Sequence, residues 1–528
     1  MNSSENQLSA INWPKRLGIL VGISFLIRLC IAHFTALGND EVYYWTYAVL
    51  PDISHFDHPP LVGWLIRLSS LNLNFTNEVF IRGGALLIGS VNIVVFFNIG
   101  KYLKDELTGW YAALLYVGSV YCSIIAGTFI LPDTPQSLFW LLGLFAFIKA
   151  FDENRQQDDH GKQLLLAGLW TGLAMYSKYH GVFLWMGALL YISFNNWRWW
   201  LRWELYAAGI LSILIFSPVL YWNYQNAFIS FTFHGERVDP NTGVRPLFLM
   251  QAVLGQIAYN NPINSVLCII ALVAAQRKKL RIDPLRKVLI YMGLPLVLLF
   301  TGVALFKQIL PHWTSPGFFS LMLLAAIWLR ERKNSQEVLY PAVLKWSVGL
   351  ILFIFVVGII DINTGIVPLS HETAPTRIGR GDVTLDMHGW KDLRAPFAAF
   401  IKKEKENGKY LGNKMMSQKW FPAAHLDFYV ATPLGFDMYG GGNLLDTHEY
   451  AWLTEARGGF KKGDSAYYIT PSTMFVDAEG LYADHFQQVE LATVIPVKRG
   501  GKLSRNFYVY RLIKAKNDLH PFAHPQWQ

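Results

Sequence analysis

Residues 38–68 open with Gly38-Asn39-Asp40-Glu41-Val42-Tyr43-Tyr44-Trp45 and run through Phe56-Asp57-His58-Pro59-Pro60-Leu61 to Leu68. An apolar span precedes this stretch and another follows it, yet it holds three carboxylates, Asp40, Glu41 and Asp57, beside His55 and His58. Charges this close to a bilayer are costly unless they face water or a site. Asn39 or Asp40 can cap one short helix, and Asp57 or His58 a second that begins at Pro59 and Pro60. The second helix places Leu61, Trp64, Leu65 and Leu68 on one face, the spacing of a helix lying on a membrane surface. The carboxylates then sit at the polar ends of two interfacial helices, within reach of a lipid headgroup.

The rest of the composition agrees with a membrane setting. Of 528 residues, 52% are apolar and only 16% charged, where a soluble chain carries about a quarter. The net charge of +9 reads as loop topology and not as a nucleic-acid surface. Cys30, Cys122 and Cys268 fall in apolar spans without ligand spacing and read as core residues. Residues 1–14 are polar, and the apolar run after Lys15 and Arg16 lacks a small-residue cleavage site, so it reads as an uncleaved first span.

Windows of about 20 apolar residues place spans near 17–37, 80–100, 108–128, 133–151, 163–178, 181–196, 205–222, 258–275, 288–306, 312–329 and 343–361. One set of loops carries Lys15, Arg16, Lys101, Lys104, Arg198, Arg202, Arg277 to Arg281 and Arg330 to Lys333. That bias puts this set, and the N-terminus, in the cytoplasm. From 362 to 528 the pattern changes to short apolar runs with frequent Gly, Pro and charge. Ala395 to Lys405 reads as a helix, while Ala466 to Thr470 and Asn506 to Arg511 alternate like strands. The fold class expected is mainly α: a polytopic helical membrane domain over 1–361, with outer first loop 38–79, and a periplasmic α/β domain over 362–528.

The unusual polar residues fall on the opposite, outer side. Besides the first loop they include Asp133 in Leu-Pro-Asp-Thr-Pro, Lys178 in Ser-Lys-Tyr-His-Gly, His234 in Phe-Thr-Phe-His-Gly-Glu-Arg, and Lys307 and His312. Singly, such an Asp is a helix cap and such a Lys or His snorkels. Together their one-sidedness points to a shared outward-facing cavity. Tyr43, Tyr44, Trp45 and Trp64 can stack on a sugar or line a lipid groove, or serve as interfacial anchors.

The order Asp-Glu, Tyr-Trp, Phe-Asp-His-Pro-Pro-Leu, then Leu-Pro-Asp-Thr-Pro, then Ser-Lys-Tyr resembles the protein-O-mannosyltransferase-type glycosyltransferases of the GT-C superfamily, over roughly residues 15–330. The branch that includes the bacterial lipid A aminoarabinose transferase is the most similar. The resemblance implies transfer of a sugar from a polyprenyl-phosphate donor, on the periplasmic side of a bacterial inner membrane, to lipid A, another envelope glycan or a protein. It implies that Asp40 is catalytic or orients the acceptor, with Glu41 beside it, and that Asp133 is the second acidic position. Asp57 stands where the aminoarabinose enzyme has a metal-binding glutamate in Glu-Lys-Pro-Pro, with His234 as its partner, implying Zn²⁺ or Mn²⁺. His58 replaces that motif's lysine and Tyr43 an arginine, so the donor-phosphate set becomes His58, Tyr43, His55, Lys178 and Lys307. A base for an acceptor hydroxyl and positive charge for the phosphate are what such a transfer needs; an acceptor that is itself a phosphate needs no base. A multi-span lipid or solute transporter is the alternative reading, disfavoured by the large outer domain and the absence of visible repeats.

Overall fold

The computed structural model describes residues 11–238, 243–332 and 338–520. Residues 1–10, Lys333 of the basic loops and residues 521–528 lie outside them. Helices stand at every one of the expected span positions, from Trp13–Phe34 to Ala342–Thr364. Five are long and apolar enough to cross a membrane: Trp13–Phe34, Gly83–Leu103, Trp203–Gln225, Pro284–Val303 and Ala342–Thr364. Pro246–Tyr259 and Pro262–Gln276 form a pair bent by 101°, a further span if counted as one. The other described helices at these positions are shorter or more polar, and the set supports a multi-pass membrane protein.

Chain contacts divide the protein into two units, Met1–Ala32 with Pro51–Phe355 and His33–Leu50 with Val356–Gln528. The first unit is a helical bundle. Its core gathers Phe96, Tyr116, Trp140, Phe147 and Phe319 on helices 83–103, 106–117, 133–150 and 315–331. The first two of these approach closely because both carry glycine at the crossing: a Cβ on Gly100 would come within 2.9 Å of Gly109 Cα. Ile210, Ile213 and Leu214 on the 203–225 helix remain exposed, as lipid-facing residues do.

Two expectations for the first loop change. The helix over Asn39–Val49 is capped by Gly38, whose N–H donates to the Glu41 carboxylate at 2.9 Å, and not by Asn39 or Asp40. The second helix spans Leu61–Ser69 with Pro60 before it and no side-chain cap, because proline fixes the turn without one. It buries Val62, Gly63 and Ile66. Trp64 and Leu68 stay exposed, with Trp64 edge-on to Tyr176, while Leu61 and Leu65 are half-buried and Leu61 packs against Tyr176, Phe216 and Val219.

The second unit carries a five-stranded sheet, ordered β2-β1-β3-β5-β4. Its strands are β1 (Lys414–Ser417), β2 (Asp437–Gly440), β3 (Ala466–Pro471), β4 (Phe486–Arg499) and β5 (Lys502–Ala515). β1 pairs parallel with β2 and β3, and β5 pairs antiparallel with β3 and β4. Central β3 is buried along its whole length, as a strand covered on both faces should be. Gly500 and Gly501 turn the β4–β5 hairpin with φ of 55° and 80°, values that favour glycine. The expected helix is present as Arg394–Glu406. What the first-loop reading did not anticipate is that residues 33–50 group with this sheet unit. Tyr43 meets Trp420 with ring centroids 5.0 Å apart and Trp45 meets Phe428 at 5.2 Å, so aromatic packing recruits the helix.

Candidate functional site

Within the first unit, a buried polar centre forms where the helix Asp133–Ala150 begins. Lys178 Nζ donates to Asp133 Oδ2 at 2.7 Å, and the Tyr121 hydroxyl donates to Oδ1 at 3.0 Å. Asp133 and Lys178 are each 2% exposed. The two residues expected to act separately, as base and as phosphate-binding cation, thus neutralise each other. Lys178 sits at the break between helices 157–177 and 183–195, which is why a short pair of spans can deliver a cation to the interior. His180, two residues on, packs its ring on Phe300 and Trp313.

Next in the chain's logic is the segment 52–57, held by side chains from several helices. Trp222 Nε1 donates to Asp52 Oδ2 at 2.9 Å, Tyr176 OH to the Ile53 carbonyl at 3.3 Å, and Ser230 Oγ to the His55 carbonyl at 3.2 Å. His234 Nε2 donates to the Asp57 carbonyl at 2.5 Å. The expected Asp57–His234 meeting therefore occurs, but through the backbone oxygen. The ring nitrogen so engaged carries a proton and is no metal ligand. Among the described residues no group of three or more His, Cys, Asp and Glu can hold a metal. The donor set does not fit Zn²⁺ or Mn²⁺, and no step is derived through one.

His58 and His234 face each other with centroids 5.4 Å apart, and Tyr179 closes on His234 at 5.2 Å. Burial, then the neighbouring His234, holds His58 well below the usual histidine value, and burial pushes His234 down to about 4. Both are neutral at pH 7. His58 consequently offers a hydrogen bond and not the charge expected of it, and His55 is buried at 1% exposure. Lys307 is half-buried. A cation that the sequence reading passed over is Arg237, exposed with its guanidinium 4.5 Å from the Phe233 ring centre. Its signal was present, three residues beyond His234.

A cavity of about 270 Å³ is bounded by His58, Tyr179, His180, His234, Phe300 and Trp313. Val182 also lines it, and borders a second cavity of about 460 Å³ whose walls are apolar, including Trp185, Leu189, Ile210 and Ile213. Both cavities are mainly apolar, and in the first three histidines and a tyrosine set a few polar groups among apolar walls, as small-molecule sites do.

In the second unit, Asp40 lies exposed in the first turn of its helix, whereas Glu41 is 1% exposed and serves the cap. Tyr43 is buried against Trp420, away from any cationic duty. Asn39, which the sequence reading treated only as a cap, donates from Nδ2 to Asp386 Oδ2 at 2.8 Å and accepts from His425 Nε2 at 2.9 Å. No local pattern connects residues so far apart in sequence.

Residues 57–222 match the family model described as dolichyl-phosphate-mannose-protein mannosyltransferase. The lipid A galacturonosyltransferase RgtD of Rhizobium johnstonii is 25% identical over 361 residues, 65% of this chain and 69% of that protein. The chain is a membrane glycosyltransferase resembling the GT-C superfamily. This glycosyltransferase also shares its fold with ArnT from Cupriavidus metallidurans. The crystal structure of ArnT bound to undecaprenyl phosphate superposes with a TM-score of 0.63 at 13% identity, covering 94% of this chain and 98% of that one. The apo ArnT structure gives the same figures.

Proposed function

We propose that the protein transfers a sugar from a polyprenyl-phosphate donor to an envelope acceptor on the periplasmic face of a bacterial inner membrane. The observation that carries this reading is a cavity in which His58, Tyr179, His180 and His234 stand among apolar side chains, bordering at Val182 a second, apolar cavity. The first suits a sugar phosphate and the second a prenyl tail. The undecaprenyl phosphate bound by ArnT and the lipid A modified by RgtD support a lipid-phosphate donor and a lipid A acceptor.

In the step itself, an acceptor oxygen attacks the anomeric carbon, the bond from that carbon to the phosphate oxygen breaks, and polyprenyl phosphate leaves with the electron pair. Asp40, an exposed carboxylate in the first turn of its helix, is the base assigned to the acceptor proton. The Asp133–Lys178 pair, with Tyr121, fixes the wall of the first cavity. His58 donates a hydrogen bond to the phosphate, and Arg237, whose charge acts on His58 and His234, supplies positive charge nearby.

Mass spectrometry of lipid A and of total envelope glycans, from cells with and without the gene, tests the reading. Loss of one sugar from lipid A supports it and identifies the sugar by mass. Loss from secreted proteins moves the acceptor to protein, and unchanged glycans throughout would overturn it in favour of transport.

A further inference from the structure

Five separate interactions hold the short segment that carries Asp40, and all come from its own unit. The Leu37 N–H donates to the Tyr429 hydroxyl at 2.7 Å, and the Gly38 N–H to Glu41 at 2.9 Å. Asn39 is locked at both ends of its carboxamide, by Asp386 at 2.8 Å and His425 at 2.9 Å. Tyr43 then seats on Trp420. His425 is fully buried and stacked on Trp390, with centroids 4.4 Å apart and planes 8° from parallel. Arg505 lies over the other side of this aromatic assembly, 4.7 Å from the Trp390 ring centre.

The two partners of Asn39 make opposite demands. Asp386, a carboxylate, accepts only, so it selects the amide nitrogen; the His425 N–H donates, so it selects the amide oxygen. Turning the carboxamide over would set oxygen against carboxylate and N–H against N–H. One rotamer alone satisfies both, and Asp40 is the next residue along the same first turn. We propose that Asp386 and His425 are positioning residues for sugar transfer, acting through Asn39 to hold the Asp40 carboxylate in its working orientation. This inference rests on the assignment of Asp40 as the reacting carboxylate. Both residues belong to the same unit as Asp40. Misplacing a reacting group by about 1 Å costs roughly a hundredfold in rate, so a lock of this kind is read in turnover before it is read in stability.

The test uses the full-length protein. Cells lacking the gene are complemented with each variant at matched membrane levels, and the sugar-bearing fraction of lipid A and envelope glycans is measured by mass spectrometry. Purified variants are assayed for undecaprenyl phosphate binding and for melting temperature. Asn39→Asp sets two carboxylates together and is expected to lower transfer about tenfold or more. Adding Asp386→Asn restores a donor to that contact, and the pair is expected to recover to within about threefold of wild type. His425→Gln, which keeps an N–H donor, is expected to transfer better than His425→Leu. Undecaprenyl phosphate binding and melting should stay at wild-type values throughout. Wild-type transfer by Asn39→Asp and by His425→Leu, with Asp40→Asn inactive, would overturn the positioning role and leave Asp40 standing. Active Asp40→Asn would overturn the assignment on which it rests. Parallel loss of donor binding and melting would make these residues merely structural and overturn the proposal.

Discussion

Lys178 Nζ lies 2.7 Å from Asp133 Oδ2, with both side chains buried in the helical unit. Two charges removed from water are tolerated only as a pair, and removing one strands the other. Lys178→Met is therefore expected to destabilise the protein by about 3–5 kcal/mol. The double variant Lys178→Met/Asp133→Asn should melt above the single one, because no unpaired charge remains. Thermal unfolding in detergent checks the order; a double variant no more stable than the single would remove the pair from its structural role.

The two first-loop acids should separate cleanly. Asp40→Asn is expected to insert normally and transfer no sugar. Glu41→Gln weakens the contact from Gly38 N–H and should cost about 1 kcal/mol of stability while retaining transfer. Glycan mass spectrometry with matched membrane levels reads both. Reversed outcomes would move the reacting carboxylate from Asp40 to Glu41.

The apolar cavity can be filled without moving the backbone. Gly209 lines it, and a Cβ there meets nothing within 4 Å. Gly209→Leu should then raise the donor KM by about tenfold, equivalent to about 1.4 kcal/mol, with kcat little changed. Leu214→Ala, at a lipid-facing site of the same helix, should leave KM alone. Equal KM values for Gly209→Leu and wild type would place the prenyl tail elsewhere.

Acid should loosen the sheet unit. Burial, then Arg505, holds His425 well below its ordinary 6.5, and burial likewise lowers His388. Below pH 6.5 the unfolded chain binds protons that the folded chain refuses, so stability is full above that pH and falls as pH drops. Each histidine contributes at most about 1.4 kcal/mol per pH unit. Asp386, raised from 3.8 chiefly by burial, acts oppositely, because the folded carboxyl takes its proton first and gains stability nearer pH 4. Melting curves between pH 7.5 and 5.5 should show a slope that His425→Gln reduces.

Much of the architecture was legible without coordinates. Apolar blocks marked most helix positions of the bundle, since burial in lipid demands long apolar runs, but the helices Ile229–Glu236 and Pro246–Tyr259 fell outside them. The change of composition after residue 361 marked the sheet unit, and alternation found β3 and the core of β5. Hydropathy windows ran past the ends of short helices such as Phe183–Asn195, which buries one face and leaves Met186 and Phe194 exposed. Asp57 and His234 were expected as metal ligands, and the structure joins them through the Asp57 carbonyl. The Leu61–Ser69 helix was read correctly as an amphipathic surface element, because exposure of Trp64 and Leu68 follows from local periodicity.

The sequence by itself determined the class of the molecule: a multi-pass glycosyltransferase resembling the GT-C superfamily, with a C-terminal sheet unit and polar residues in its loops. Periodicity and short motifs are local, and they survive without knowledge of partners. Tertiary structure alone decided which charges remain available. It paired Lys178 with Asp133, left His58 neutral by burial, committed Glu41 to a cap, and bound Asn39 to Asp386 and His425. Such pairings join residues up to 386 positions apart. Charge and protonation depend on the nearest few ångströms of space, which no one-dimensional spacing encodes.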